Sequence, residues 1–242
     1  MPDRVPWYEF VPRFFSETNY RQGQHVLAMA KTGQGKTLLL TSLLTNAAYI
    51  GAFEAVLWTK PRDKELNSFY RRTDVSKKII SKADFNFAKP REQLVVVRPK
   101  SQNLAQLKSV QKTVFTQVIE QIWSVGNWLI YLDELRYFTQ TLSITDLIQL
   151  LYTQARSSGI SLWAGVQRPK WISVEARTET SHFFLAFPGQ GIESTNKSGA
   201  SEDMIYLKRM FGSEAVSLIE TLPQHSFLYI GPNWSAIVKV GA

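Results

Sequence analysis

Cysteine is absent from this 242-residue chain, which excludes disulfides and thiolate metal sites. The three histidines, His25, His182 and His225, show no metal-ligand spacing. Long apolar runs are also missing: the most hydrophobic stretch, 38–53, is broken by Thr41, Ser42, Thr45 and Asn46 and falls short of the roughly 20 residues of a bilayer span. The start, Met1-Pro2-Asp3-Arg4, has no apolar secretory segment, so the expectation is a protein that stays in the cytoplasm where it is made. Acidic residues are comparatively few, 20 against 28 Lys and Arg, for a net charge of +8. Residues 60–100 alone hold 12 Lys and Arg against 5 Asp and Glu, a concentration that suits either a polyanion such as nucleic acid or an ordinary solvated face.

What is present is a globular composition, 44% apolar and 12% aromatic, at a length that one α/β domain fills. We read 1–242 as a single domain, with an N-terminal extension over 1–22, a core over 23–230 and a terminal strand over 231–242. Short β-branched or aromatic runs predict strands at 25–30, 55–59, 94–98, 128–132, 161–166 and 183–187. Helical patterns fall between them at 37–50, 104–123, 144–157 and 171–180. Such alternation predicts a mainly parallel central sheet flanked by helices. After a Gly/Ser/Asn-rich loop at 188–201 come a helix at 202–211 and a C-terminal β-hairpin, 226–230 and 236–240, around Gly231-Pro232-Asn233.

The first predicted strand runs into Ala30-Lys31-Thr32-Gly33-Gln34-Gly35-Lys36-Thr37, and a helix follows at once, the context a phosphate-binding loop requires. Gly33 and Gly35 let backbone N–H groups turn toward a β-phosphate, Lys36 can bridge β- and γ-phosphates, and Thr37 can hold Mg²⁺. This makes the fold class a RecA-like P-loop NTPase. The apolar run Trp128–Leu132 then delivers Asp133 and Glu134 to the end of a strand, the edge where open α/β sheets bind ligands. Asp133 would meet Mg²⁺ through water, and Glu134 would serve as base for the water attacking the γ-phosphate. Gln167, ending the next strand before Arg168-Pro169, can hydrogen-bond phosphate and water alike. Arg156, just before Ser157-Ser158-Gly159, would lie across the sheet from its own loop and could complete a neighbour's site, with Arg168 and Arg136 as competitors. The only approaches to a guanine-reading motif, Asn196–Gly199 and Thr59–Arg62, lack its aspartate, so ATP is expected.

In this order and spacing these elements resemble the FtsK/HerA superfamily of DNA-pumping ATPases over about 23–230. The most specific part is Ala155-Arg156-Ser157-Ser158-Gly159-Ile160 leading into Gly165-Val166-Gln167-Arg168-Pro169, similar to that family's arginine, glycine and Thr-Gln-Arg-Pro run, with Val166 for the threonine. Leu57–Pro61 and Ile172–Phe184 resemble its second strand and its return to the sheet. The resemblance implies an ATPase using ATP and Mg²⁺, and at this compact size a viral genome-packaging motor. It also implies a homo-oligomeric ring of five or six copies that threads double-stranded DNA into a preformed capsid, with a portal or vertex protein as an optional partner and virion association as a consequence. A plasmid-transfer or filamentous-phage assembly ATPase would share these residues, and a monomeric P-loop small-molecule kinase is the reading from another class. For a DNA motor, Arg71, Arg72, Lys77, Lys78 and Lys82 are the expected phosphate contacts; for a kinase the same segment, 70–82, would be the lid.

Overall fold

The computed structural model describes residues 2–49, 51–60, 63–187 and 202–240. The chain begins with β1 (Asp3–Val5), α1 (Trp7–Phe14), β2 (His25–Met29), α2 (Lys36–Tyr49), β3 (Phe53–Leu57) and α3 (Lys64–Arg72). It continues through β4 (Lys77–Ile80), β5 (Leu94–Val97), α4 (Leu104–Val125), β6 (Trp128–Leu132), α5 (Thr145–Gln154) and β7 (Ser161–Val166). Then follow α6 (Val174–Glu179), β8 (Thr180–Leu185), α7 (Glu202–Glu220), β9 (Ser226–Ile230) and β10 (Ser235–Lys239). The strands form one ten-stranded sheet in the order β1-β10-β9-β8-β2-β7-β6-β3-β5-β4. Pairing is parallel except on the two sides of β9, which runs against β8 and β10. The expected parallel sheet, its flanking helices and the C-terminal hairpin are all there.

Each face of the sheet buries its own core. On one side Leu27, Leu57, Val95, Ile130 and Leu162 pack with Phe115, Val118 and Ile122 of α4 and Leu207 and Ile219 of α7. On the other, Val26, Val56, Leu129, Tyr131 and Trp163 meet Leu40, Leu43 and Leu44 of α2, Leu66 and Phe69 of α3 and Phe10 and Phe14 of α1. Alternate residues along each strand thus go to opposite cores, which is why the strands read as unbroken apolar runs. Among the described residues, no helix is long and apolar enough to cross a membrane. His25 and His182 are held inside: the first accepts from the Leu162 N–H at 3.0 Å, the second lies 2.8 Å from the Tyr229 hydroxyl, and burial lowers their pKa values to about 4 and about 3.

Several boundaries depart from expectation. Residues 3–14 are built into the sheet and core: β1 pairs with β10, and Phe10 stacks edge-on against Tyr229 with Arg13 4.0 Å above Trp234. The helix expected over 171–180 shrinks to α6, because Ser173 caps it and Thr180 already opens β8. The helix expected over 202–211 continues to Glu220 through a kink at Gly212, whose φ is +85°. The loop expected over 188–201 lies outside the described residues.

Glu54 on β3 has 0% exposure, and neither carboxylate oxygen has a hydrogen-bond partner among the described residues. Burial pushes its carboxyl well above the usual range, so folding favours the protonated form. The stability cost is therefore smallest below the pKa of an unfolded glutamate, about 4.3, and grows as pH rises from there toward the folded value. Glu54→Met is expected to raise stability at pH 7 by about 1–3 kcal/mol, the cost of an unsatisfied buried polar group, and to flatten the pH dependence. Chemical denaturation at pH 4 and pH 7 checks this; a variant no more stable than wild type at pH 7 would overturn it.

Candidate nucleotide site

The edge of the sheet where the parallel strands end carries the polar residues. β2 gives way to the loop Ala30–Thr37, whose start is stitched to β7 by the Ala30 N–H donating to the Val166 carbonyl at 3.1 Å. Gly33 and Gly35 adopt φ of +81° and +99°, in the left-handed region that glycine enters without strain. The loop is held from outside by the turn before β9: Gln224 donates to the Gly33 carbonyl at 3.0 Å and Gln34 to the Pro223 carbonyl at 3.3 Å. Lys36 folds back inside the loop, its ammonium 2.6 Å from the Ala30 carbonyl. Burial lowers its pKa against the opposing pull of Glu134 and Asp133.

A cleft of about 300 Å³ opens here, lined by Gly33, Lys36, Thr37, Lys60, Asp133, Glu134 and Gln167 among others. The Thr37 hydroxyl donates to Asp133 Oδ1 at 2.7 Å, and the Tyr131 hydroxyl donates to the same oxygen at 3.0 Å. Two hard oxygen ligands side by side at the foot of a phosphate loop fit Mg²⁺, which takes few protein ligands and fills its shell with water and phosphate oxygens. Asp133 is placed by a close approach of two strands. A side chain at Gly165 would come within 2.3 Å of the Asp133 carbonyl, so β7 must carry glycine there.

Glu134 follows at once, and burial raises its pKa, opposed by Lys36 and by the Gln167 amide. Its Oε1 is buried with no hydrogen-bond partner among the described residues. The loop, Thr37, Asp133, Glu134 and Gln167 are therefore brought to one place, as their positions in the sequence required.

No protein-family model matches the chain, and no curated protein does. Solved structures do. The DNA-packaging ATPase B204 from Sulfolobus Turreted Icosahedral Virus superposes with a TM-score of 0.60 at 16% identity, over 92% of this chain and 100% of that one. VirB4 of Thermoanaerobacter pseudethanolicus gives 0.65 at 8% identity over 90% and 89%. The plasmid coupling protein TrwB, in complex with ADP and Mg²⁺, gives 0.60 at 11% over 99% and 93%. The fold is that of a P-loop ATPase. At such identities the likeness carries the architecture, and the chemistry rests on this chain's own residues.

Arg156 lies at the other end of the sheet, in a 3₁₀ turn, Ala155–Ser158, just before β7 begins. Its side chain is exposed, and its carbonyl presses on Gly23, where an added side chain would approach to 2.7 Å. The two competitors are engaged within the chain: Arg136 lies 3.4 Å over Trp171 and Arg168 pairs with Asp203 at 2.9 Å. The segment 70–82 comprises the end of α3, the edge strand β4 and the bend after it. Arg71, Arg72, Lys78 and Lys82 are exposed there, but the Lys77 ammonium donates to the Tyr70 and Thr73 carbonyls and so caps α3. Lys77 is thus engaged within the chain, as suits the last carbonyls of a helix, which attract a cation.

Sequence reasoning missed Lys60, Asp63 and the clamp at 223–225. The available signal for Lys60 was a charge just beyond the end of a parallel strand, where such sheets bind ligands.

Proposed function

We propose that this chain is an ATP-driven double-stranded DNA translocase, working as a viral genome-packaging motor. The observation that carries the ATPase part is a half-buried Glu134, its Oε1 buried with no hydrogen-bond partner among the described residues, in one cleft with Lys36, Thr37, Asp133 and Gln167. Lys36 compensates phosphate charge, and the backbone N–H groups of the loop and the first turn of α2 cradle the phosphates. Mg²⁺ held by Thr37 and Asp133 would draw charge from the leaving and transferred groups. Glu134 orients a water and takes its proton, helped by a raised pKa, while Gln167 reads the γ-phosphate end. This is a hydrolytic arrangement. A kinase would need a mobile lid, and the candidate segment is a helix end and a paired strand.

The DNA part rests on two features. Arg156 stands away from its own cleft on a backbone packed against Gly23, as suits a group that completes the next subunit's site in a ring. Arg71 and Arg72 on α3, Lys78 on β4 and Lys82 in the bend after it are exposed basic residues, and sequence-independent movement along DNA calls for phosphate contacts. The likeness to B204, a DNA-packaging ATPase matched over 100% of its length, supports the packaging reading.

ATP turnover measured with and without duplex DNA tests the reading, and turnover is expected to rise with duplex of any sequence. Duplex affinity should fall with salt, with a log–log slope that flattens by about 0.9 for each phosphate contact removed when Arg71, Arg72, Lys78 and Lys82 become alanine. An unchanged slope would release this group from DNA contact. Wild type that hydrolyses ATP but binds no duplex at low salt would end the translocase reading.

A further inference from the structure

Both carboxylate oxygens of Asp133 are already engaged. Oδ1 accepts from Thr37 and Tyr131, and Oδ2 is in close contact with the ammonium of Lys60. The partners differ in mobility. Thr37 is at the start of α2 and Tyr131 is 0% exposed in β6, whereas the Lys60 side chain is 52% exposed on a flexible four-carbon stem. The backbone below it is fixed, since Gln111, itself buried, donates to the Thr59 carbonyl at 2.7 Å and accepts from Tyr137 at 2.6 Å. Asp63 stands on the other side of the ammonium, its Oδ2 at 3.5 Å, while its Oδ1 accepts from the Glu65 and Leu66 N–H groups at the start of α3. One ammonium therefore lies between two carboxylates: a 4% exposed one engaged through both oxygens, and a 12% exposed one whose Oδ2 faces the ammonium.

We propose that Lys60 is a positioning residue that stands in for the divalent cation. Without metal its ammonium neutralises Asp133 and holds the carboxylate against Thr37. When metal arrives with the nucleotide, the ammonium gives up Oδ2 and settles on Asp63. Buried Asp133 is thus never left uncompensated, which would be costly, and metal binds only by displacing a competitor. The inference rests on the ATP-site reading above and assigns the site a metal affinity set by an internal cation.

The test is the Mn²⁺ concentration that half-saturates binding of a fluorescent, non-hydrolysable ATP analogue. Lys60→Met should lower it about fivefold by removing the competitor, and Asp63→Asn should raise it about twofold to fivefold by removing the second resting place, since close partners couple. Asparagine keeps the oxygen that caps α3, so folding is retained, and thermal unfolding checks it. Asp63→Asn should have no effect once Lys60 is Met. The proposal fails if Lys60→Met leaves the Mn²⁺ requirement unchanged or raises it, or if Asp63→Asn acts equally in both backgrounds. Wild type that binds no analogue at any Mn²⁺ concentration would instead remove the ATP-site reading and this inference with it.

Discussion

Glu134→Gln is expected to bind ATP within a few-fold of wild type and to hydrolyse it about 10²–10⁴-fold more slowly, the range of a general base. Glutamine has the same shape and can still face the cleft, so charge compensation by Lys36 survives while the proton acceptor is lost. Lys36→Ala should do the opposite and lose nucleotide binding first, because its ammonium is the cation folded back inside the loop, at the Ala30 carbonyl. Binding of a labelled analogue and single-turnover hydrolysis separate the two variants. Burial raises the Glu134 pKa, so wild-type turnover should fall on acidification above the ordinary glutamate range, as the base becomes protonated. Turnover within tenfold of wild type in Glu134→Gln would take the base's role from this residue.

The second large effect is expected at Gly165. A methyl group there would lie 2.3 Å from the carbonyl of Asp133 and 3.8 Å from Cε of Lys36, so β6 and β7 must separate. Backbone against side chain leaves little room to relax, and overpacking of this kind costs about 1–3 kcal/mol or more. Gly165→Ala should therefore lower Tm by about 2–4 °C per kcal/mol in a protein of this size. It should also reduce hydrolysis by more than the stability loss explains, because Asp133 moves away from Thr37. Thermal unfolding and turnover at a temperature where the variant is folded measure both. Wild-type stability in Gly165→Ala would mean the strands are not so closely apposed.

The phosphate loop and the Asp133-Glu134 pair were legible in the sequence because their geometry is local: a strand, a turn with its glycines, and a helix in immediate succession. What depended on distant pairing was not. β1 is three residues long and exists because β10, more than 200 residues later, supplies its partner, and α1 carries Pro12, which argues against a helix. β4 reads Lys-Lys-Ile-Ile, charged as an edge strand is, and so gave no strand signal. α3 could have been read from the Asp63 cap and from Leu66 and Phe69 spaced three apart, but the surrounding charge drew attention instead. Lys60 offered only its place beyond a strand end, because its meeting with Asp133 follows from β3 and β6 being neighbours in the sheet.

α3 touches both halves of the proposed activity. Asp63 caps it, Lys64 and Glu65 of its first turn line the nucleotide cleft, and Arg71 and Arg72 occupy its last. Nine residues of helix make a rod about 13 Å long, too short to bend appreciably and long enough to act as a lever. A tilt of about 10° at the cleft end carries the arginines through roughly 2 Å, a sizeable part of the 3.4 Å rise between successive nucleotides of one strand. Whatever pulls on Asp63 when the cleft fills is thereby geared to the surface where a phosphate backbone would lie.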